Sequence, residues 1–422
     1  MYVRHRPFLA VVCRLIVTAV VFFAVAEVSP CEAPPPALNG YVTRAGSPSD
    51  FDVNGFHVLL TGKTLIELPN SGSAIAADDL KLYVGLPIQV FGKIQDKRHS
   101  ITATKLTLLQ PAQQKIATTG VIDGVPSAPL DASSPGDHLV RADGYLVLIS
   151  AATATTFNPP LDGTSAFQVN VWVSFQGTQR RDGVIVADRV VFSKNIIGAG
   201  EDKLRSKREY DPNAIAPNTK QNALSKTFRG VDPKLIPPYK DPAVQARVDT
   251  IGATLVPKYQ RDLPDTDETK INFRFQVIDN KKWHDAVALP SGIILVPHQV
   301  VERLQNDSQL ATVLADNIST VLEKQDLRLQ PTAHRMAAES WAGLVVPGFG
   351  LASYAEYKDL LRHLEEESGR VSLFLLHDAG YDIYQAPLAW WALGSAKGIG
   401  STPLPRRAEY IYKMLGETWR VN

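Results

Sequence analysis

The chain has 422 residues, 45% of them hydrophobic and 21% charged, and a formal net charge of +1. That length predicts two or three domains, and the composition is that of an ordinary globular protein, not a disordered or fibrous one. A charge so near zero gives no global basis for nucleic acid or an acidic surface as a partner. At the N-terminus, Arg4, His5, Arg6 and Arg14 lead into the apolar run from Leu15 to Ala26, which Glu27 and a proline cluster follow. A basic start, a short apolar run and small residues after it fit a secretory signal peptide over residues 1–33. Ala24-Val25-Ala26 and Cys31-Glu32-Ala33 are both cleavage candidates. The other reading is an uncleaved anchor, for which the run after Arg14 is short. The expected location is the periplasm or cell envelope, with membrane contact only through that segment. Cys13 and Cys31 both fall in it or at its edge, so the mature chain is expected to hold no internal disulfide.

Residues 37–195 repeat themselves. Gly40-Tyr-Val-Thr, Val53 to Leu59, Val90-Phe-Gly92 and Ile101 to Leu108 answer to Gly120-Val-Ile-Asp, Ala142 to Leu148, Phe175-Gln-Gly177 and Ile185 to Phe192. Two units of this length are too few and too long for a solenoid. Strict alternation places Phe167, Val169, Val171, Val173 and Phe175 on one face of a strand, and Asn54-Gly55 and Asp143-Gly144 are hairpin-turn pairs. The prediction is two small, partly closed β barrels, at 37–110 and 115–195. They resemble the OB-like domains of unknown function found in tandem in exported proteins. No basic patch interleaved with aromatics argues for nucleic acid. Residues 196–240 are rich in Lys, Arg, Asn and Pro and read as a linker.

From 241 to 415 the helical period returns. Val244, Val248, Ile251 and Leu255 mark one helix, a strand spans Ile271 to Ile278, and Ile293 to Val296 form an apolar strand. Leu310, Val313, Leu314, Ile318, Val321 and Leu322 mark a second helix, which carries Asp316, Asn317 and Thr320. The order of phrases here resembles the BepA/HtpX-type zinc metalloendopeptidases. Asp285-Ala-Val-Ala-Leu-Pro-Ser-Gly292 matches that family's N-A-F-A-L-P-G-G, and Leu310 to Ala315 leads into its active-site helix. Glu367-Ser-Gly-Arg370 matches E-A-D-R, and Ala379-Gly-Tyr-Asp382 matches A-G-Y-D. The resemblance implies a mainly helical α+β, zincin-like domain after the two barrels.

The departures fall on the chemistry. Where the family has H-E-x-x-H, this chain has Asp316-Asn317-Ile318-Ser319-Thr320, and the His of the family's T-H-P-L-P is missing from Thr402-Pro-Leu-Pro405. Glu367 alone survives, as a vestige of the third zinc ligand. Zinc in such a site needs two imidazoles and a carboxylate, with a position open for water. A neutral Asn at 317 cannot accept the water's proton. The expectation is therefore no cofactor and no hydrolysis: an exported pseudo-metallopeptidase that binds or scaffolds extended peptides or envelope proteins. The alternative is a metalloendopeptidase with an atypical metal site of Asp316, His363 and Glu367. Asp316, Thr320 and Glu367 are expected to converge, with a cation or hydrogen-bond donor in place of zinc, for which Arg335, Arg370 and Arg407 are candidates, or else with one carboxylate protonated or turned to solvent. Ile293, Ile294, Leu295 and Val296 are expected to form an edge strand that accepts an extended peptide.

Overall fold

The computed structural model describes residues 37–68, 74–110, 114–126, 136–207, 210, 236–343, 351–394 and 404–419. The expected signal segment, most of the 196–240 stretch and the Thr402-Pro403 part of the C-terminal phrase lie outside the described residues.

Six strands build the first barrel: β1 (Leu38–Ser47), β2 (Asp50–Val53), β3 (Phe56–Leu59), β4 (Leu65–Glu67), β5 (Pro87–Gln95) and β6 (Ser100–Leu108). Their order is β3-β2-β1-β5-β6-β4, and a parallel pairing of β3 with β6 closes the sheet. Closure removes free edges and encloses Val42, Phe51, Val58, Ile88, Ile101 and Leu106. The second barrel repeats this strand for strand with β7 (Lys115–Gly124), β8 (His138–Ala142), β9 (Tyr145–Ile149), β10 (Ala154–Phe157), β11 (Val171–Gln179) and β12 (Ile185–Lys194). Its order is β10-β12-β11-β7-β8-β9, closed by parallel β9 and β12. The repeated Phe-Gly and Gln-Gly pairs prove to be bulges, with register shifts at Phe91/Gly92 and Gln176/Gly177. The predicted strand is shorter at its start. Asn170 takes a positive φ of 67°, so β11 begins at Val171 and Val169 is left exposed.

The residues read as a linker are partly structured. Helix α1 (Ala199–Lys207) follows the second barrel, and Tyr210 donates its hydroxyl to the Ile236 carbonyl from within a small core of Ile278, Leu289, Ile293 and Leu295. Then come α2 (Pro242–Leu255), α3 (Lys258–Asp262), β13 (Arg274–Ile278), β14 (Val287–Ala288), β15 (Ile293–Pro297), α4 (His298–Arg303) and α5 (Asp307–Leu322). The last four helices are α6 (Gln325–Gly343), α7 (Leu351–Asp378), α8 (Ala386–Gly394) and α9 (Arg406–Thr418). Among the described residues no helix is long and apolar enough to cross a membrane.

Asn306 caps α5 by accepting the Gln309 amide at 2.9 Å. Every residue from Gln309 to Ser319 is buried, so α5 is the central helix, with Gln309, Thr312, Asp316, Asn317 and Ser319 buried beside its apolar positions. The edge-strand expectation for Ile293, Ile294, Leu295 and Val296 is overturned. The sheet order is β13-β15-β14, so β15 is the middle strand. It pairs in parallel with β13 and, at Ile294 and Leu295, antiparallel with β14. Buried on both faces, it offers no unpaired edge to a peptide.

The barrels dock on the helices through equivalent turns. Asn54-Gly55 and Asp143-Gly144 join β2 to β3 and β8 to β9 with positive φ at all four residues. A Cβ on Gly55 would lie 2.3 Å from the tip of the Trp391 indole, and one on Gly144 would lie 2.5 Å from the Arg370 Cβ. Glycine is required there both by backbone conformation and by close approach. The buried core of the second barrel runs on into α2, α5, α8 and α9, whereas that of the first is its own.

Candidate functional site

Asp316 lies two and a half turns into α5, buried and turned towards α7 and α9. Its Oδ2 takes the Arg407 Nη2 at 2.5 Å, and its Oδ1 accepts the Ser368 hydroxyl at 2.9 Å. The other arm of Arg407 reaches Asp285 Oδ2 at 2.6 Å. The Arg407 guanidinium also lies 3.3 Å from the centre of the Trp390 ring, a cation–π contact in a water-poor setting. Of the three candidate cations, Arg407 is thus the one that meets Asp316. Arg335 pairs with Glu356 on the surface, and Arg370 faces the second barrel. Burial pushes the Asp316 carboxyl upward; Arg407 opposes this, Asp285 adds to it, and the bonds from Arg407 and Ser368 oppose it. The two bonds that Arg407 donates, to Asp316 and to Asp285, make a compact ion triad.

The expected convergence of Asp316, Thr320 and Glu367 is not found. On a helix each residue turns by about 100°, so Ser368 faces Asp316 while its neighbour Glu367 faces α6. There Glu367 Oε1 takes Arg328 Nη1 at 2.5 Å and Oε2 takes Gln325 Nε2 at 2.9 Å. Burial foremost, then Asp143, raises the Glu367 carboxyl to about 8, with Arg328 and Arg370 opposing. Thr320 bonds the carbonyl of Asp316 at 3.1 Å and lines a separate crevice with Leu204, Pro290 and Lys324. Asn317 donates its side-chain amide to the Val313 carbonyl at 2.8 Å, one turn back on its own helix. His363 is exposed on α7, its Nδ1 2.8 Å from the Asp359 carbonyl, and does not join Asp316 and Glu367. Among the described residues no three His, Cys, Asp or Glu side chains are grouped to hold a metal ion. A cavity of about 760 Å³ runs along α2 and β13, lined by Gln245, Gln260, Lys270 and Phe275; Ile293 also lines it, whereas Asp316, Asn317, Thr320, His363 and Glu367 do not.

In the sequence Asp285 and Ser368 stand only inside the matched phrases, and nothing marks Trp390, Arg328 or Gln325. Spacing carries no signal for them, because each acts on a residue well beyond helical or strand spacing, as with Asp285 and Arg407 at 122 positions.

Comparison with known families reaches only the first barrel. Residues 39–107 are similar to a family described as a domain of unknown function (DUF5666). The matched span covers β1 to most of β6, so the likeness belongs to one barrel and carries no activity to the helical domain. A comparison with curated proteins finds none that matches the chain.

Proposed function

We propose that the helical domain is a non-catalytic, peptidase-like scaffold that holds two OB-like barrels in an exported protein of the cell envelope. The observation that carries this reading is Arg407. On the zincin-like alignment of phrases, Asp316 stands at the first imidazole position, and the Arg407 guanidinium bonds to it and to Asp285. A guanidinium bound on both arms and stacked on Trp390 supplies the positive charge that a metal would otherwise bring, without an open position for water. Binding of extended peptides or envelope proteins remains the function proposed for this scaffold, but β15 is not the surface for it.

The test restores the erased residues. The D316H/N317E/T320H/R407A variant supplies two imidazoles and a base and removes the competing cation. Metal analysis after dialysis against zinc should show no stoichiometric zinc in the natural chain. Zinc in the variant would place Glu367 within reach once Arg328 lets go of it. Tight zinc and peptide hydrolysis by the natural chain would overturn the reading. A well-folded variant without zinc would show that the resemblance does not extend to site geometry.

A further inference from the structure

The interface between the second barrel and the helical domain buries more acid than it pairs. Glu323, directly after α5, is 1% exposed and accepts the Val121 amide of β7 at 3.2 Å through Oε2. Asp143 stands beside it: a Cβ on Gly120 would lie 2.8 Å from Glu323 Oε2 and 3.0 Å from the Asp143 Cβ. Glu367 on α7 is the third carboxylate of the cluster. Two guanidiniums serve these three acids. Arg370 pairs with Asp143 at 2.7 Å, and Arg328 pairs with Glu367.

Glu323 has no ion pair with a described residue. The other charged groups facing the cluster are committed elsewhere. Asp123 on β7 is bonded to Arg141, which also serves Asp378. Lys324 sends its ammonium to Glu201 and the Ile196 carbonyl. Tyr259 on α3 contributes a buried phenol. Asp143 Oδ1 is buried without a hydrogen-bond partner, so an acceptor stands free in the same cluster.

We propose that Glu323 carries a proton while the second barrel is docked, and that docking is therefore proton-linked: tight in acid and loosened as Glu323 ionises. A buried carboxylate with two carboxylate neighbours and no cation of its own is the least tolerable charge in this interface. Burial, then Glu367, Asp143 and Asp123, push its carboxyl well above the usual range, with the Val121 amide opposing. Released from the interface, Glu323 returns to the range of an ordinary carboxyl. Between the two values the docked form holds one more proton than the released form. Docking therefore weakens as pH rises through that window and levels off above it. This inference is independent of the reading of the Asp316 triad.

Hydrogen exchange of the full chain tests it, with protection factors read in peptides from β7 and the β8–β9 turn. Opening of these peptides should rise with pH by up to about tenfold per unit across the window. E323Q, neutral at every pH and still able to accept the Val121 amide, should cut that slope by more than half. Should E323Q fail to fold, E323M serves in its place. A flat profile in the natural chain would overturn the proposal. So would a slope in E323Q that keeps more than half its size, or one that D123N abolishes and E323Q does not.

Discussion

Phe51, Ile88 and Leu106 fill a core built only from residues of the first barrel, while Val140, Val173 and Phe192 of the second belong to a core that continues into the helices. The strand orders are the same, so topology does not set this difference; the outward faces do. Where the first barrel presents Arg44 with Asp50 and Asp52 to solvent, the second presents Asp123, Arg141 and Asp143 to α7 and the end of α5. One fold can thus be a self-sufficient unit or part of a larger body, depending on whether its charges end in water or in protein.

The sharpest way to break this comparison is to remove one arginine from each barrel's ion pairs. R370A leaves Asp143 buried without its cation and should cost roughly 3–5 kcal/mol, read by urea denaturation. R44A, on a half-exposed pair of the first barrel, should cost less than about 1 kcal/mol. Equal losses would mean that the second barrel's interface is no more demanding than a surface.

The paired turns give the next largest contrast. A methyl at Gly144 meets the Arg370 Cβ and the backbone at Val371, neither of which can swing away. G144A should therefore cost roughly 3 kcal/mol, with strain at positive φ adding to overpacking. At Gly55 the obstacle is the far end of the Trp391 indole, and G55A should cost roughly 1–2 kcal/mol. The reverse ranking by denaturation would show that the first barrel is the more firmly docked.

The smallest effect is one of sign. On the first barrel, burial raises Asp52, but the bonds from Arg44 and His57 hold it below its usual value. Its contribution is present at neutral pH and fades as pH falls through that lowered value. Beneath the second barrel, Glu367 is raised from 4.5 to about 8. Its contribution is full below 4.5 and is lost as pH climbs towards 8. Site-resolved exchange across pH should therefore show the first barrel weakening in acid and the helical interface weakening in base. Parallel trends in both regions would refute the contrast.

Much of this was legible in the sequence, for identifiable reasons. Barrel strands write themselves in period two, and the Asn54-Gly55 and Asp143-Gly144 pairs mark turns that few other dipeptides allow. The six apolar positions from Leu310 to Leu322 marked α5, and all six are buried. What failed was tertiary. β14 has two residues, too few for alternation to show, yet it moves β15 from the edge of its sheet to the middle. Glu323 gave no sign of its place, because its neighbours Val121 and Asp143 come from the second barrel, far away in sequence. In the Asp316 triad the acid was visible from the family pattern and Arg407 was among three candidates, but only packing on Trp390 and α7 chose between them.

Helix α9 touches nearly everything described above. Arg407 reaches Asp316 and Asp285, Tyr410 accepts from Arg370, and the helix end meets the first barrel, where a Cβ on Gly85 would lie 2.3 Å from the Tyr412 carbonyl oxygen. This helix is also translated after both barrels. As the chain leaves the ribosome, the first barrel can finish its core at once. The second must leave the face that joins the helical core unfinished until α7 and α9 emerge. Between those two events the second barrel's inner face stays open to solvent, which the first barrel's never does.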